Sequence, residues 1–134
     1  MIGVIVISHG KLADELISAV SFVLSGKLSL KITPISMDHN CDFDTFKKDI
    51  KKAIKKADSG DGVLVVTDMF GGTPSNIGLT FLEDGKVEVI SGVNLPMLLK
   101  LSTLSQDISL EEAVRSAEKA GKDNIIIASD LIKK

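Results

Sequence analysis

The stretch VIVISHGKLADEL, residues 4–16, indicates the fold class of this chain. Its first four residues are apolar and β-branched, they lead into Ser8, His9 and Gly10, and apolar residues at helical spacing follow directly. A strand that is apolar at every position is typical of a parallel sheet that is covered on both faces. The stretch therefore predicts a buried strand with a titratable imidazole at its carboxyl end.

The alternation of strand and helix continues along the chain. Further apolar strands are predicted at residues 62–68, 86–91 and 124–129. A weaker, alternating strand around Ile32 contains Pro34, which marks it as an edge strand because proline cannot donate a hydrogen bond to a central ladder. Strands that alternate with helices of this kind predict an α/β fold.

Helices with one apolar face are predicted between these strands. Thr73 is expected at an N-cap and Pro74 at the first helical position of one of them. Ser109 and Glu112 have the spacing of a capping box. The helix after Asp42 carries paired lysines on its polar face, which we interpret as a solvated surface.

These elements predict one domain, residues 1–134, with a mainly parallel sheet and helices on both faces. Right-handed crossovers and an edge position for the second strand give the strand order 2-1-3-4. In that order the direction of winding reverses between the first and third strands. Ligands bind at such a switch point, beyond the carboxyl ends of the strands.

Two chemically active side chains are expected at this switch point. His9 ends the first strand and Asp68 ends the third, so an imidazole and a carboxylate should meet there. The carboxylate would hold one ring nitrogen as its hydrogen-bond donor and leave the lone pair of the other free to attack phosphorus. His9 and Asp68 are therefore the predicted catalytic residues of a phosphoryl transfer.

A glycine turn and a helix start lie directly after Asp68. Gly71 and Gly72 are predicted to form the turn, and the helix N-terminus behind them suits an anion such as phosphate. Thr73 and Ser75 add hydroxyl donors, which completes the predicted phosphate-binding set. The segment lacks the lysine of a P-loop and the spacing of a dinucleotide fingerprint.

Composition excludes several other classes of function. The net charge is −2 and there are five Phe but no Trp or Tyr, so a nucleic-acid partner is not expected. The single cysteine, Cys41, lies near His39, but two such groups do not make a metal site, and no metal or cofactor is expected. The first residues lack the features of a signal sequence, and we expect a soluble cytoplasmic domain.

Three segments, VIVISHG, VVTDMFGGTPSN and ISGVNLPMLLKL, resemble the signature segments of the mannose-family enzyme IIA domain of the bacterial phosphotransferase system. The resemblance implies a phosphorylated histidine at His9, an orienting aspartate at Asp68 and a hydroxyl at Thr73. It also implies that the last strand, residues 124–129, is antiparallel and exchanged between the subunits of a homodimer.

The resemblance further implies the phosphocarrier HPr as donor, an enzyme IIB component as acceptor, and an indirect association with membrane transporter components. Met69, Phe70, Leu95 and Met97 are candidates for the partner surface, with core packing as the alternative for each. Because no linker follows the last predicted strand up to Lys134, we expect a IIA domain without a fused IIB domain.

Three alternatives to a sugar-transport carrier stay open at this point. One is a phosphocarrier subunit for a dihydroxyacetone kinase, and the second is a regulatory module whose phosphorylation state is sensed by another protein. The third is a small-ligand-binding domain in which His9 only forms hydrogen bonds.

Overall fold

Four parallel strands form the sheet in the computed structural model, which describes residues 1–133. The strands are β1 (Gly3–His9), β2 (Ile32–Met37), β3 (Val63–Thr67) and β4 (Val87–Ser91). Their order is β2-β1-β3-β4 and every neighbouring pair is parallel, which confirms the predicted order and the edge position of the strand that contains Pro34. Lys134, the last residue of the predicted domain, lies outside the described residues.

Helices cover both faces of this sheet, as predicted. They are α1 (Leu12–Val23), α2 (Phe43–Ala57), α3 (Thr73–Leu79), α4 (Leu95–Ser102), α5 (Leu110–Asp123) and α6 (Ala128–Ile132). One core joins the sheet to α1, α4 and α5, and the other joins it to α2 and α3. Val4 and Val6 belong to the first core and Ile5 and Ile7 to the second, because side chains of a strand alternate between its faces.

The structure corrects the predicted last strand over residues 124–129, because no strand forms there within the described residues. Residues 125–127 have no regular structure, and Ala128–Ile132 forms the short helix α6. A strand needs a neighbouring strand to pair its N–H and C=O groups, and this segment has none within residues 1–133, whereas a helical turn pairs them locally. The predicted exchange of this segment would place it against the sheet of a second subunit, and it stays a prediction.

Two predicted helix starts had different outcomes. The N-cap of α3 is Gly72 and not Thr73, because the backbone of Gly72 is extended and Thr73 is already helical, so that Pro74 takes the second position. The N-cap of α5 is Ser109 as predicted, and its hydroxyl accepts the N–H of Glu112. Among the described helices, none combines the length and the apolar composition that crossing a bilayer requires.

Candidate functional site

His9 and Asp68 meet at the carboxyl edge of the two central strands. Ile7 of β1 pairs with Thr67 of β3, so the chain leaves both strands side by side at this edge. Nδ1 of His9 lies 2.7 Å from Oδ2 of Asp68. The two residues that the sequence placed at the ends of neighbouring strands are therefore in direct contact.

The carboxylate of Asp68 is held by backbone groups as well as by the ring. The backbone N–H of His9 donates to Oδ2 at 2.9 Å, and the N–H of Met69 donates to Oδ1 at 2.9 Å. Only 9% of the Asp68 side chain is exposed, whereas 46% of the His9 side chain is exposed. The orienting group is thus fixed, while the imidazole stays accessible from outside.

The protonation state of Asp68 determines the tautomer of the neutral ring. Burial by itself raises the pKa of Asp68, but the hydrogen bonds from the backbone and ring of His9 and from Met69 outweigh it, and the pKa lies below its ordinary value of 3.8. An ionised carboxylate only accepts hydrogen bonds, so Nδ1 of His9 carries the hydrogen. The lone pair of the neutral imidazole is then on Nε2.

The glycine turn passes next to the Nε2 side of this ring. A methyl carbon placed on Gly72 would lie 3.0 Å from Cε1 and 3.7 Å from Nε2 of His9. Gly71 has a φ of +87°, a left-handed conformation that side chains rarely adopt. Both predicted glycines therefore fit the local geometry, Gly71 through its left-handed φ and Gly72 through its closeness to the ring.

The two predicted hydroxyl residues lie in different surroundings. Thr73 begins α3 and is partly exposed, whereas Ser75 is fully buried. The hydroxyl of Ser75 lies 3.4 Å from that of Ser91, which in turn lies 2.6 Å from Oγ1 of Thr67. The side chain of Ser75 thus belongs to a buried cluster of hydroxyl groups beneath the glycine turn. Its backbone N–H lies in the first turn of α3.

Sequence reasoning missed Thr67 and Ser91 as members of this cluster. The two residues are paired across β3 and β4 at the carboxyl ends of the strands. The signal was present, since each is a hydroxyl residue that ends a mainly apolar strand. Such a pair, at the edge where the site lies, supports the start of α3 from below.

The predicted partner residues separate into exposed and buried ones. Met69 is 55% exposed and Phe70 is 75% exposed, and both follow Asp68 directly. Leu95 is partly buried and packs against the first core. Met97 is only 3% exposed, so its prediction as a partner residue was wrong. The side chain of Asn94 caps α4 by accepting the N–H of Met97, and the Met97 side chain packs in the core next to Gly121.

Cys41 and His39 lie in the loop before α2. Within residues 1–133, no three His, Cys, Asp or Glu side chains converge in a way that would hold a metal ion. Burial and then the carboxylates of Asp38, Asp42 and Asp49 raise the pKa of the Cys41 thiol. A protonated thiol is a poor metal ligand.

Comparison with known proteins places this geometry in a family. Residues 3–118 match the EIIA-man family, described as "PTS system fructose IIA component". The chain is 26% identical to the PTS system fructose-specific EIIA component of Bacillus subtilis (strain 168). The 135 aligned residues cover 100% of this chain and 91% of that protein. It is 28% identical to the PTS system mannose-specific EIIAB component of Escherichia coli (strain K12). Those 126 aligned residues cover 92% of this chain but only 38% of that protein.

Solved structures agree with this assignment at the level of the fold. Phosphotransferase system component EIIA from Streptococcus agalactiae has a TM-score of 0.84 and 22% identity, with 97% of this chain and 99% of that chain covered. The PTS IIA protein associated with the fucose utilization operon of Streptococcus pneumoniae has a TM-score of 0.81 and 26% identity, with 98% and 96% covered. The family match spans nearly the whole chain, including His9 and Asp68, and the chain belongs to the EIIA-man family of phosphotransferase system IIA components.

Proposed function

We propose that this chain is a phosphoryl carrier, in which Nε2 of His9 accepts the phosphoryl group of phospho-HPr and passes it to an enzyme IIB component. One observation supports the proposal above all others. Asp68 is anchored by two backbone N–H groups and accepts the Nδ1 hydrogen of His9 at 2.7 Å, which leaves Nε2 as the nucleophilic nitrogen at an accessible edge. A fixed acceptor on one ring nitrogen sets the tautomer and the aim of the other.

In the first step the Nε2 lone pair attacks the phosphorus of the donor phosphohistidine. A new N–P bond forms, the donor's N–P bond breaks, and its electron pair stays on the donor imidazole. The Nδ1 hydrogen remains on the His9 ring, and the Asp68 carboxylate stabilises the positive charge that the phosphorylated ring gains. Transfer to an acceptor side chain of enzyme IIB repeats the same exchange with His9 as the leaving group.

We assign the phosphoryl oxygens to the turn and helix start that follow Asp68. Gly71, Gly72, Thr73 and Ser75 would supply backbone N–H groups, and Thr73 would add its hydroxyl. The closeness of Gly72 to Nε2 supports this assignment, since a phosphoryl group on that nitrogen would lie against the turn. Donors that are already in place cost little reorganisation during transfer.

The donor and the acceptor are proteins, so they need an exposed surface around His9. Met69 and Phe70 supply large apolar side chains that are more than half exposed and adjacent to the site. Leu95 would contribute at the margin of this surface, because it is partly buried. Apolar and aromatic anchors of this kind dominate the free energy of protein association. A cytoplasmic location follows from the proposal, with association with membrane transporter components through enzyme IIB.

We also propose a homodimer in which the C-terminal segment contacts the second subunit. Apolar side chains along this segment are unusually exposed for a single chain: Ile125 77%, Ile126 56%, Ile127 66%, Leu131 71% and Ile132 82%. A second copy that covers them would bury apolar surface on both subunits.

Labelling with phosphate tests the carrier proposal. The purified chain is incubated with radiolabelled phosphoenolpyruvate, enzyme I and HPr, and acid-labile phosphate on the chain is measured. We expect labelling of the wild type and of the control His39→Ala, and none of His9→Ala. Nuclear magnetic resonance of the labelled protein should show phosphate on Nε2. No labelling of the wild type, or phosphate on His39 or on Nδ1 of His9, would contradict the proposal.

A further inference from the structure

Helix α2 has a strongly basic exposed surface that the phosphoryl-transfer site does not use. Six lysines of this helix are exposed: Lys47, Lys48, Lys51, Lys52, Lys55 and Lys56. At about 100° per residue they cover roughly half of the helix circumference. Phe46 and Ile50, on the opposite side, are buried in the second core, so the orientation of the helix is fixed. We call these six residues the lysine face.

The charge of the lysine face is not compensated inside the chain. Within residues 1–133 no member of the lysine face forms an ion pair. In contrast, Lys86, Lys119 and Lys122 elsewhere on the surface each lie within 3.5 Å of a carboxylate. Asp44 and Asp49 are the acidic residues of α2, against six lysines. An excess of positive charge therefore faces solvent, although the whole chain has a net charge of −2.

The basic surface extends beyond α2 to the edge of the sheet. Lys31, which precedes β2, and Lys56 line the same groove between β2 and α2. The groove is also lined by the apolar residues Ile32 and Pro34. At the other end of α2, Phe43 is 61% exposed one turn ahead of Lys47. Basic side chains thus follow the length of the helix, with Pro34 in the groove near one end and the exposed Phe43 at the other.

We propose that the lysine face docks on a membrane surface of anionic phospholipids. Lysine is a point charge without the planar fork of arginine, so a surface of lysines alone recognises a diffuse negative field better than a particular anion geometry. Clusters of four to eight basic residues on an amphipathic helix are typical of binding to anionic headgroups. The 15-residue helix is about 22 Å long, which is enough to contact several headgroups at once.

Docking through the lysine face leaves the site with His9 open. Because β2 and β3 run parallel, α2 must run back across the sheet between them, and its first turn lies at the carboxyl edge where β1 ends with His9. A membrane along the side of α2 therefore contacts the protein beside this edge and does not cover it. The proposal does not depend on the phosphoryl-carrier function, since it follows from the charge and exposure of α2.

Cosedimentation with vesicles tests the docking. The full chain is mixed with vesicles of phosphatidylglycerol and phosphatidylcholine, or of phosphatidylcholine alone, at low salt. We expect binding only to the anionic vesicles, and release at about 0.5 M NaCl, where the Debye length is about 4 Å. Lys48→Gln/Lys52→Gln/Lys55→Gln, at the centre of the lysine face, should lower the vesicle-bound to free ratio at least about tenfold, since each lysine near an anionic surface raises it about fivefold.

A variant with the same loss of charge elsewhere is the matched control. Lys86→Gln/Lys119→Gln/Lys122→Gln removes three lysines that are already paired with carboxylates, and we expect less than about a twofold change in binding. Circular dichroism checks that both variants fold. No binding to anionic vesicles, equal binding to neutral ones, or equal losses in the two variants would overturn the proposal. The proposal would also be overturned if the chain binds no vesicles and the lysine-face variant transfers the phosphoryl group more slowly. That result would favour an acidic protein as the partner of this face.

Discussion

Oδ2 of Asp68 accepts two hydrogen bonds from the same residue, from Nδ1 of His9 at 2.7 Å and from its backbone nitrogen at 2.9 Å. The orientation of the ring therefore depends on the positions of two strand ends, that of β1 and that of β3. Any change that moves one strand end relative to the other will also move the imidazole.

Asp68→Asn should slow phosphorylation by at least about tenfold, which corresponds to about 1.4 kcal/mol of barrier. The carboxylate accepts hydrogen bonds at both oxygens, whereas an amide has one acceptor oxygen. Either orientation of the amide sets its NH₂ group against a donor, at Met69 or at His9. Rapid-quench measurement of the phosphorylation rate checks this. Asp84→Asn, in an exposed turn before β4, is the control, and equal rates for the two variants would contradict the prediction.

The stability that Asp68 contributes should disappear at acid pH. Its pKa is lower in the folded chain than the ordinary value of 3.8, so the ionised carboxylate stabilises the fold above that pH. As the pH falls below 3.8 and through the lower folded pKa, this contribution is lost. Urea unfolding of wild type and Asp68→Asn should therefore give a difference in free energy that is largest near neutral pH and narrows as the pH falls below 3.8. If the difference in free energy of unfolding between the two proteins does not change with pH, this prediction is wrong.

Gly72→Ala should impair phosphorylation without unfolding the chain. The added methyl carbon would lie 3.0 Å from Cε1 of His9 and 3.2 Å from Cγ of Met69, so the ring or the turn must move. The φ of Gly72 is −82°, which alanine adopts without strain. We expect a rate at least about tenfold lower. Gly78→Ala is the control, because its methyl would meet its neighbours at 3.5 Å or more, and it should phosphorylate normally.

Met97 and Phe70 should respond to truncation in opposite ways. Met97→Ala leaves a hole in the first core and should lower the free energy of unfolding by about 2–4 kcal/mol. Phe70→Ala removes a side chain that is 75% exposed and should change it by less than about 0.5 kcal/mol. In phosphorylation assays, Phe70→Ala should raise the KM for phospho-HPr. Urea unfolding and steady-state kinetics measure both effects, and a KM effect confined to Met97→Ala would reverse the assignment.

The homodimer should depend on the apolar C-terminal segment. Sedimentation velocity at micromolar concentration should show a dimer for the wild type and a shift toward monomer for Ile125→Ser/Ile127→Ser. Phe22→Ser is the control, because Phe22 is 86% exposed on α1, outside that segment. A wild-type monomer, or the same shift in the control, would contradict the prediction.

The strand order and the pair at the switch point followed from local sequence patterns. The apolar runs of β1 and β3 require cover on both faces, and Pro34 restricts β2 to an edge; both are properties of the residues themselves. Residues that end adjacent parallel strands leave the sheet at the same edge. For this reason the contact between His9 and Asp68 could be predicted without coordinates, and so could the glycine turn beside them.

Three features depended on the tertiary structure. Met69 and Met97 are the same residue type, each near a helix start, yet one is 55% exposed and the other 3%, because the packing of α4 against α5 and α1 decides which of its sides faces inward. Ser75 is buried because the ends of β3 and β4 bring Thr67 and Ser91 beneath it. Residues 124–129 have the composition of a strand, but a strand exists only where a neighbour pairs its backbone, and within residues 1–133 no strand does so.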